Sequence, residues 1–255
     1  MSKNIARWIY SQSASVICEE DVIYVFKSGE RISKVVHKNQ CVSANSESEV
    51  MESLLQRLGK KDVFYDIGAN FGRYSCLIGK VHPSTQVFAF EPNPEAADFL
   101  RENLRWNRVN ADVIEYALSN CNGEISLDLQ EGVERARIQA DSGSTSDSVT
   151  VKMTTLDNLL ERESLPPPSV LKIDVEGAEL KVIEGMEMTL KGEDLRLLFC
   201  EVHPYLMKKM GDEEMNLFAR LKDSGFEVEV IDQRDVQYED GGSEVQKFIR
   251  ASRRE

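Results

Sequence analysis

From Asp62 onward the chain alternates short apolar runs with helix-patterned segments, and this alternation constrains the fold more than any other feature. "DVFYDIG" (62–68), "TQVFAFEPN" (85–93), "ADVIEYAL" (111–118), "PPPSVLKIDVEG" (166–177) and "DLRLLFCEVHP" (194–204) read as strands. Helices are expected near Arg73, from Pro94 with Phe99, Leu100 and Leu104, after a capping Thr155, over "AELKVIEGM" and around 213–223. "FEVEVID" closes the series, and "EVQKFIRA" reads as a last edge strand. Strands separated by helices imply βαβ units, a parallel sheet and helices on both faces. In such sheets ligands collect beyond the carboxyl ends of the strands. Asp66, Glu91, Asp174, Glu201 and His203 all fall at those ends.

The first 49 residues read as an extension to a main domain over 50–255. "DVIYVFKSGERISKVV" predicts a β-hairpin turning at Ser28-Gly29. "SESEVMESLLQRLG" predicts a helix through Val50, Leu54, Leu55 and Leu58 with Gly59 as its C-cap. Strand-like pieces near 124–129 and 148–153 flank a polar loop at 141–148.

The charge is acidic, with 44 Asp and Glu against 31 Lys and Arg and a net charge of -13. That balance suits solubility, repels polyphosphates and argues against a nucleic-acid partner. It also suits a high-salt cytoplasm. Cys18, Cys41, Cys76, Cys121 and Cys200 are scattered and form no CxxC pair, which points to a reducing compartment and away from zinc-finger spacings. No apolar run reaches the length of a membrane span. The expected location is cytoplasmic, and oligomeric state is unreadable.

"DIGANFGRYS" (66–75) is a strand–turn–helix whose glycines let backbone amides approach a ligand at a helix start. A dehydrogenase fingerprint fails, because Asn70 and Arg73 stand where glycines are required and Gly72 comes one residue early. A phosphate loop fails because no Gly-Lys-Ser/Thr follows. What fits is an acidic-x-Gly-x-Asn-x-Gly turn, with asparagine tolerated where the backbone turns left-handed. Glu91, 25 residues after Asp66, stands near the spacing of a ribose-binding carboxylate. In "LKIDVEGAE" (171–179), alternation puts Lys172 and Asp174 on one face, opposite Leu171, Ile173 and Val175. Such charges need pairing or a ligand, and Lys172 is expected to pair with a carboxylate.

In this order, "DIGANFGRYS", "FEPNP", "ALSNCNGE" and "LKIDVEGAE" resemble the FkbM family of S-adenosylmethionine-dependent methyltransferases over roughly residues 50 to 232. The resemblance implies an α/β class I methyltransferase, Rossmann-like fold. Its sheet would be seven-stranded and mostly parallel, with one antiparallel strand near the edge. It also implies S-adenosylmethionine as cofactor, with transfer usually to oxygen. The cofactor-binding positions it carries over are Asp66, Gly68, Ala69, Asn70, Gly72, Glu91 and Pro92. Asp66 would face the methionine ammonium, Ala117 and Leu118 would flank adenine, and Ser75 would be a further contact.

For acceptor activation the candidates are Asp174, Glu176 and His203, with Glu201 orienting the imidazole. His203 is attractive as a base because its ordinary pKa is near neutral. The same four residues could instead gather a divalent metal, though spacing gives no reason to favour one. The expected acceptor is a saccharide or polyketide-like hydroxyl, or a uronic-acid carboxylate, on a small molecule or glycan. The alternatives are a non-catalytic S-adenosylmethionine-binding or partner-binding module, and an NAD-dependent oxidoreductase disfavoured at Asn70 and Arg73.

Overall fold

The computed structural model describes the backbone of residues 16–19, 22–27, 30–37, 48–128, 137–138, 148–238 and 240–253. The loop read at 141–148 lies outside the described residues up to its last position. β1 (Val16–Glu19), β2 (Val22–Lys27) and β3 (Glu30–His37) form an antiparallel sheet in which β2 and β3 are the expected hairpin. α1 (Ser48–Arg57) follows, burying Val50, Met51 and Leu54. Gly59 lies outside the left-handed region and is not the C-cap read from the sequence. Instead its N–H donates to the Asp62 carboxylate at 2.5 Å.

The main sheet is built from β4 (Val63–Ile67), β5 (Gln86–Phe90), β6 (Ala111–Ile114), β11 (Val170–Ile173), β12 (Leu197–Val202), β13 (Phe226–Gln237) and β14 (Ser243–Arg253). Its order is β13-β14-β12-β11-β4-β5-β6. β4, β5, β6, β11 and β12 are mutually parallel, and β14 runs antiparallel to β12 and to β13. "EVQKFIRA" therefore lies inside the sheet, because β14 inserts between β12 and β13; the edge strand is β13. β14 alternates burial over its first half and buries Phe248 and Ile249 in succession at its middle.

A second sheet, ordered β7-β10-β8-β9, comprises β7 (Ala117–Leu118), β8 (Gly123–Asp128), β9 (Arg137–Ile138) and β10 (Ser148–Thr154). "ADVIEYAL" is thus two strands, broken at Glu115-Tyr116, one in each sheet. This break opens the main sheet where the cleft described below begins.

Strand parity assigns the two faces. Tyr65, Ile67, Phe88, Phe90, Leu171, Ile173, Leu198 and Cys200 pack against α4 (Leu156–Glu163), α5 (Glu179–Glu184), α6 (Glu187–Lys191) and α8 (Glu214–Asp223). Phe64, Val87, Ala89, Val170, Leu197 and Phe199 pack against α1, α2 (Arg73–Val81) and α3 (Pro94–Asn107). α7 (Pro204–Lys209) follows β12 directly. Caps agree with the sequence: the Asn93 side chain accepts from the Glu95 N–H with Pro94 behind it, and Thr155 accepts from Asn158.

α2 is capped differently. Its N-cap Gly72 is left-handed and offers no side chain. Asp66, reaching from the end of β4, accepts the Ser75 N–H at 3.0 Å and its hydroxyl at 2.7 Å. The strand thus supplies the acceptor that an N-cap residue would give to the helix's first turn. The other carboxylate oxygen lies 3.4 Å from Lys172 Nζ, and the pair is almost wholly buried. Removing one member of a buried, hydrogen-bonded pair costs about 3–5 kcal/mol. Asp66→Ala is accordingly expected to lower unfolding free energy by about 3–5 kcal/mol. Urea denaturation should show a lower midpoint at unchanged slope.

Candidate functional site

A cleft opens above the carboxyl ends of β4, β5 and β11. Ile67, Gly68 and Asn70 line it from the first turn, Phe90, Glu91 and Pro92 from the second, and Asp174, Val175, Glu176 and Ala178 from the third. Tyr116, Ala117, Leu118 and Leu127 close the side toward the smaller sheet. Of the residues read from sequence, the structure brings Gly68, Asn70, Glu91, Pro92, Ala117, Leu118, Asp174 and Glu176 to this cleft. Asp66, Ala69, Gly72, Ser75, Glu201 and His203 do not line it. Tyr116 and Leu127 were not foreseen. Leu127 comes from a different strand pair, and only the fold brings it there.

The first turn explains its own composition. Asn70 has φ 50°, so asparagine holds a left-handed position as expected. Gly68 has φ +74°, and a Cβ there would sit 1.8 Å from the Asp174 carbonyl oxygen. That glycine is required by the approach of two strand ends as much as by any ligand. At Gly72 a Cβ would meet Leu100 at 2.3 Å, so this glycine packs α2 against α3 and does not touch the cleft. Ser75 and Asp66 are spent on each other behind the turn, with both residues fully buried. Asp66 therefore does not face the cleft directly.

Glu91 is the buried carboxylate at the cleft wall. Oε2 accepts the Asn70 N–H at 2.8 Å and Oε1 the Asn93 N–H at 2.9 Å. Burial pushes its pKa up to about 7, against the two amide hydrogen bonds and Lys172, which pull it down.

The far end of the cleft is acidic. The Lys172 ammonium holds Asp174 Oδ2 at 3.3 Å and the Gly68 carbonyl at 3.2 Å, as its pairing with carboxylates predicted. Glu176 sits at φ 52° ahead of Gly177 at φ 106°, where a Cβ would press Leu206 at 2.7 Å. A non-glycine residue held left-handed stores about 1–2 kcal/mol of strain, a cost typical of functional turns.

Beneath these carboxylates lies His203, 1% exposed. Its Nδ1 is 2.7 Å from Glu179 Oε1, an oxygen that also accepts the Gly177 N–H at 2.9 Å. Next to a carboxylate that nitrogen carries the ring proton and donates it. Its Nε2 is 3.6 Å from Glu201, 3.8 Å from Glu176 and 4.0 Å from Asp174. The orienting residue is thus Glu179, within the quoted motif but given no role from sequence, whereas Glu201 binds Arg234. Burial disfavours the imidazolium, yet the charge and hydrogen bond of Glu179, with the charges of Glu176 and Glu201, raise His203 to about 10. The near-neutral base expected from sequence is therefore a protonated ring at pH 7. Asp174 and Glu176, about a quarter exposed, stand between it and the cleft.

Residues 66–233 match the family described as Methyltransferase FkbM domain. The chain belongs to that family. The hexuronic acid methyltransferase AglP of Haloferax volcanii is 36% identical over 162 residues, covering 62% of this chain and 62% of AglP. The 2-O-methyltransferase NoeI of Sinorhizobium fredii is 30% identical over 162 residues, covering 57% and 66%. The 31-O-demethyl-FK506 methyltransferase FkbM of Streptomyces tacrolimicus is 26% identical over 171 residues, covering 56% and 65%. The matches span less than two thirds of each of these relatives.

Among solved structures, precorrin-6y C5,15-methyltransferase from Geobacter metallireducens superposes with a TM-score of 0.50 at 20% identity, covering 81% of this chain and 89% of that one. Methyltransferase FkbM from Methylobacillus flagellatus gives 0.50 at 14% identity, covering 76% and 44%. The fold is that of the class I methyltransferases, as the sheet order indicates. Among the described residues no helix is long and apolar enough to cross a membrane.

The folded protein keeps the Glu91 proton up to about pH 7, whereas the unfolded chain loses it near 4.5. Stability from this group is present below 4.5 and is lost as pH rises to 7. Each pH unit between them costs about 1.4 kcal/mol, so the total is on the order of 3 kcal/mol. Urea unfolding of wild type and Glu91→Gln across pH 4.5–7.5 should show wild type losing about that much more stability than the variant, the loss from His203 above pH 6.5 being common to both.

Proposed function

We propose that this chain is an S-adenosylmethionine-dependent O-methyltransferase whose acceptor is a sugar, with a hexuronic acid as the first candidate. The observation that carries the reading is the cleft itself. It sets a ribose-type carboxylate, Glu91, at one wall and the acidic pair Asp174–Glu176 at the far end. Membership of the FkbM family and the names of AglP and NoeI support the donor and the acceptor class. A polyketide-like hydroxyl, the class indicated by the FkbM relative's name, is the variant acceptor.

In this reading the ribose hydroxyls donate to Glu91, which keeps its two amide hydrogen bonds on the remaining lone pairs. The turn backbone at Gly68 and Asn70 passes beside the methionine portion. Tyr116, Ala117, Leu118 and Leu127 offer the apolar wall for adenine. Asp66 acts on the cofactor only through the turn that it holds. Gly72, Ser75 and Ala69 act the same way, as supports.

The acceptor oxygen attacks the methyl carbon in line with the departing sulfur. The C–S bond breaks, its electron pair stays on sulfur, and S-adenosylhomocysteine leaves neutral at that atom. A hydroxyl acceptor passes its proton to Asp174 or Glu176 and then to water; a carboxylate acceptor has no proton to lose. Orientation in the cleft is worth about 7–11 kcal/mol, and the proton acceptor a further factor of about 10²–10⁴. His203 positions the carboxylates from below.

Two measurements check this. Calorimetric titration with S-adenosylmethionine should show Glu91→Ala binding at least tenfold more weakly, on the scale of two charge-assisted hydrogen bonds, about 1.5–3 kcal/mol each. Ser75→Ala should lose stability and keep its affinity. Labelled-methyl transfer should then be assayed on a panel of uronic acid and neutral saccharides. On a hydroxyl acceptor, Asp174→Asn should lower kcat, read at saturating cofactor, by about 10²–10⁴. Cofactor binding without transfer to any saccharide would sink the acceptor assignment.

A further inference from the structure

We propose that Asp174, Glu176 and His203 bind one divalent first-row metal ion of the manganese class at the acceptor end of the cleft. The ion would hold an acceptor through two of its oxygens, a part of the inference that rests on the methyltransferase reading above. The site itself stands on separate observations. One ligand atom from each residue lies within 4.8 Å of the other two. His203 Nε2 is buried, has no hydrogen-bond partner among the described residues, and is turned toward the two carboxylates. Distances of 3.8 and 4.0 Å are too long for hydrogen bonds and leave room for an atom between the groups.

The surroundings are those of a ligating histidine. Nδ1 is committed to Glu179 at 2.7 Å, which fixes the ring and leaves Nε2 as the nitrogen that meets a metal. Lys172 holds Asp174 Oδ2, so Oδ1 is the oxygen turned to His203. Glu201 is held by Arg234 and stays outside the ligand set. Bonds of about 2.1 Å put neighbouring ligands about 3 Å apart, so each carboxylate must close by about 1 Å. Both side chains are about a quarter exposed, at 28% and 27%, and have space to do so.

Charge and donor type select the ion. Asp66, Asp174, Glu176, Glu179 and Glu201 face Lys172 and Arg234, an excess of three negative charges with the His203 ring neutral, of which one dication offsets two. Two carboxylates suit manganese or magnesium, and the imidazole tips the set toward a first-row metal. The ion replaces the Nε2 proton, which leaves to solvent. Its remaining coordination positions fall to water or to two acceptor oxygens, as in vicinal hydroxyls or a hydroxyl beside a carboxylate.

The test is a titration of the chelator-treated full chain with Mn2+ alone, read by calorimetry and by loss of the free-ion paramagnetic resonance signal. One ion per chain at micromolar affinity is expected. Asp174→Asn and Glu176→Gln should each weaken it at least tenfold while melting normally. No saturable binding below millimolar Mn2+ overturns the proposal, as does binding unchanged in both variants. Ion binding without methyl transfer leaves the site standing and removes the methyltransferase reading instead.

Discussion

The Asp66 carboxylate is the constraint on which the cleft depends. One oxygen caps the first turn of α2 through Ser75, and the other faces Lys172 on the neighbouring strand. Lys172 in turn holds Asp174 and the Gly68 carbonyl. The turn at 66–75 and the strand end at 172–174, about a hundred residues apart in sequence, are thus fixed to one buried charge pair. An exposed pair of this kind would contribute little, but this one is sealed, so each partner is obligatory once the other is present.

This arrangement accounts for what could be read from sequence and what could not. The strands of the parallel core, the helices on both faces and the pairing of Lys172 follow from periods of two and near four, which are local signals. Asn70 was legible because a left-handed turn leaves a compositional mark. The roles of Asp66, Ser75 and Gly72 were not, because a motif read linearly cannot tell the residues that touch a ligand from those that shape the turn. Gly72 faces Leu100 and Ser75 faces Asp66, and both partners are defined only by packing. "EVQKFIRA" misled for a related reason. A strand inserted between two others has the same alternation as one at the rim, and its place is set by the crossover, not by its composition.

The histidine cluster marks the sharpest divide between the two levels. Glu179, Glu176 and His203 come from a helix start, a strained turn and the end of β12, and no spacing in the chain announces their meeting. Residue type suggested a neutral base at His203. Surroundings made it a buried cation enclosed by carboxylates. Its intrinsic pKa was the wrong guide because, in a buried site, nearby charges outweigh the desolvation that would favour the neutral ring.

An acidic pair at the mouth of such a cluster also bears on acceptor choice. A sulfonium donor is cationic and is drawn toward Asp174 and Glu176, whereas a hexuronate is anionic and is repelled by them. Opposed unit charges about 4 Å apart are worth about 4 kcal/mol at an effective dielectric near 20, and like charges cost the same. The Lys172 charge is already answered by Asp66 and Asp174, and Arg234 by Glu201, so neither offsets a third carboxylate. A uronate acceptor therefore needs a positive charge that these described side chains do not supply. The divalent ion proposed between Asp174, Glu176 and His203 provides it at the place where the acceptor oxygen must stand. A neutral hydroxyl acceptor meets no such repulsion. The metal requirement and the charge of the acceptor are in this way one question.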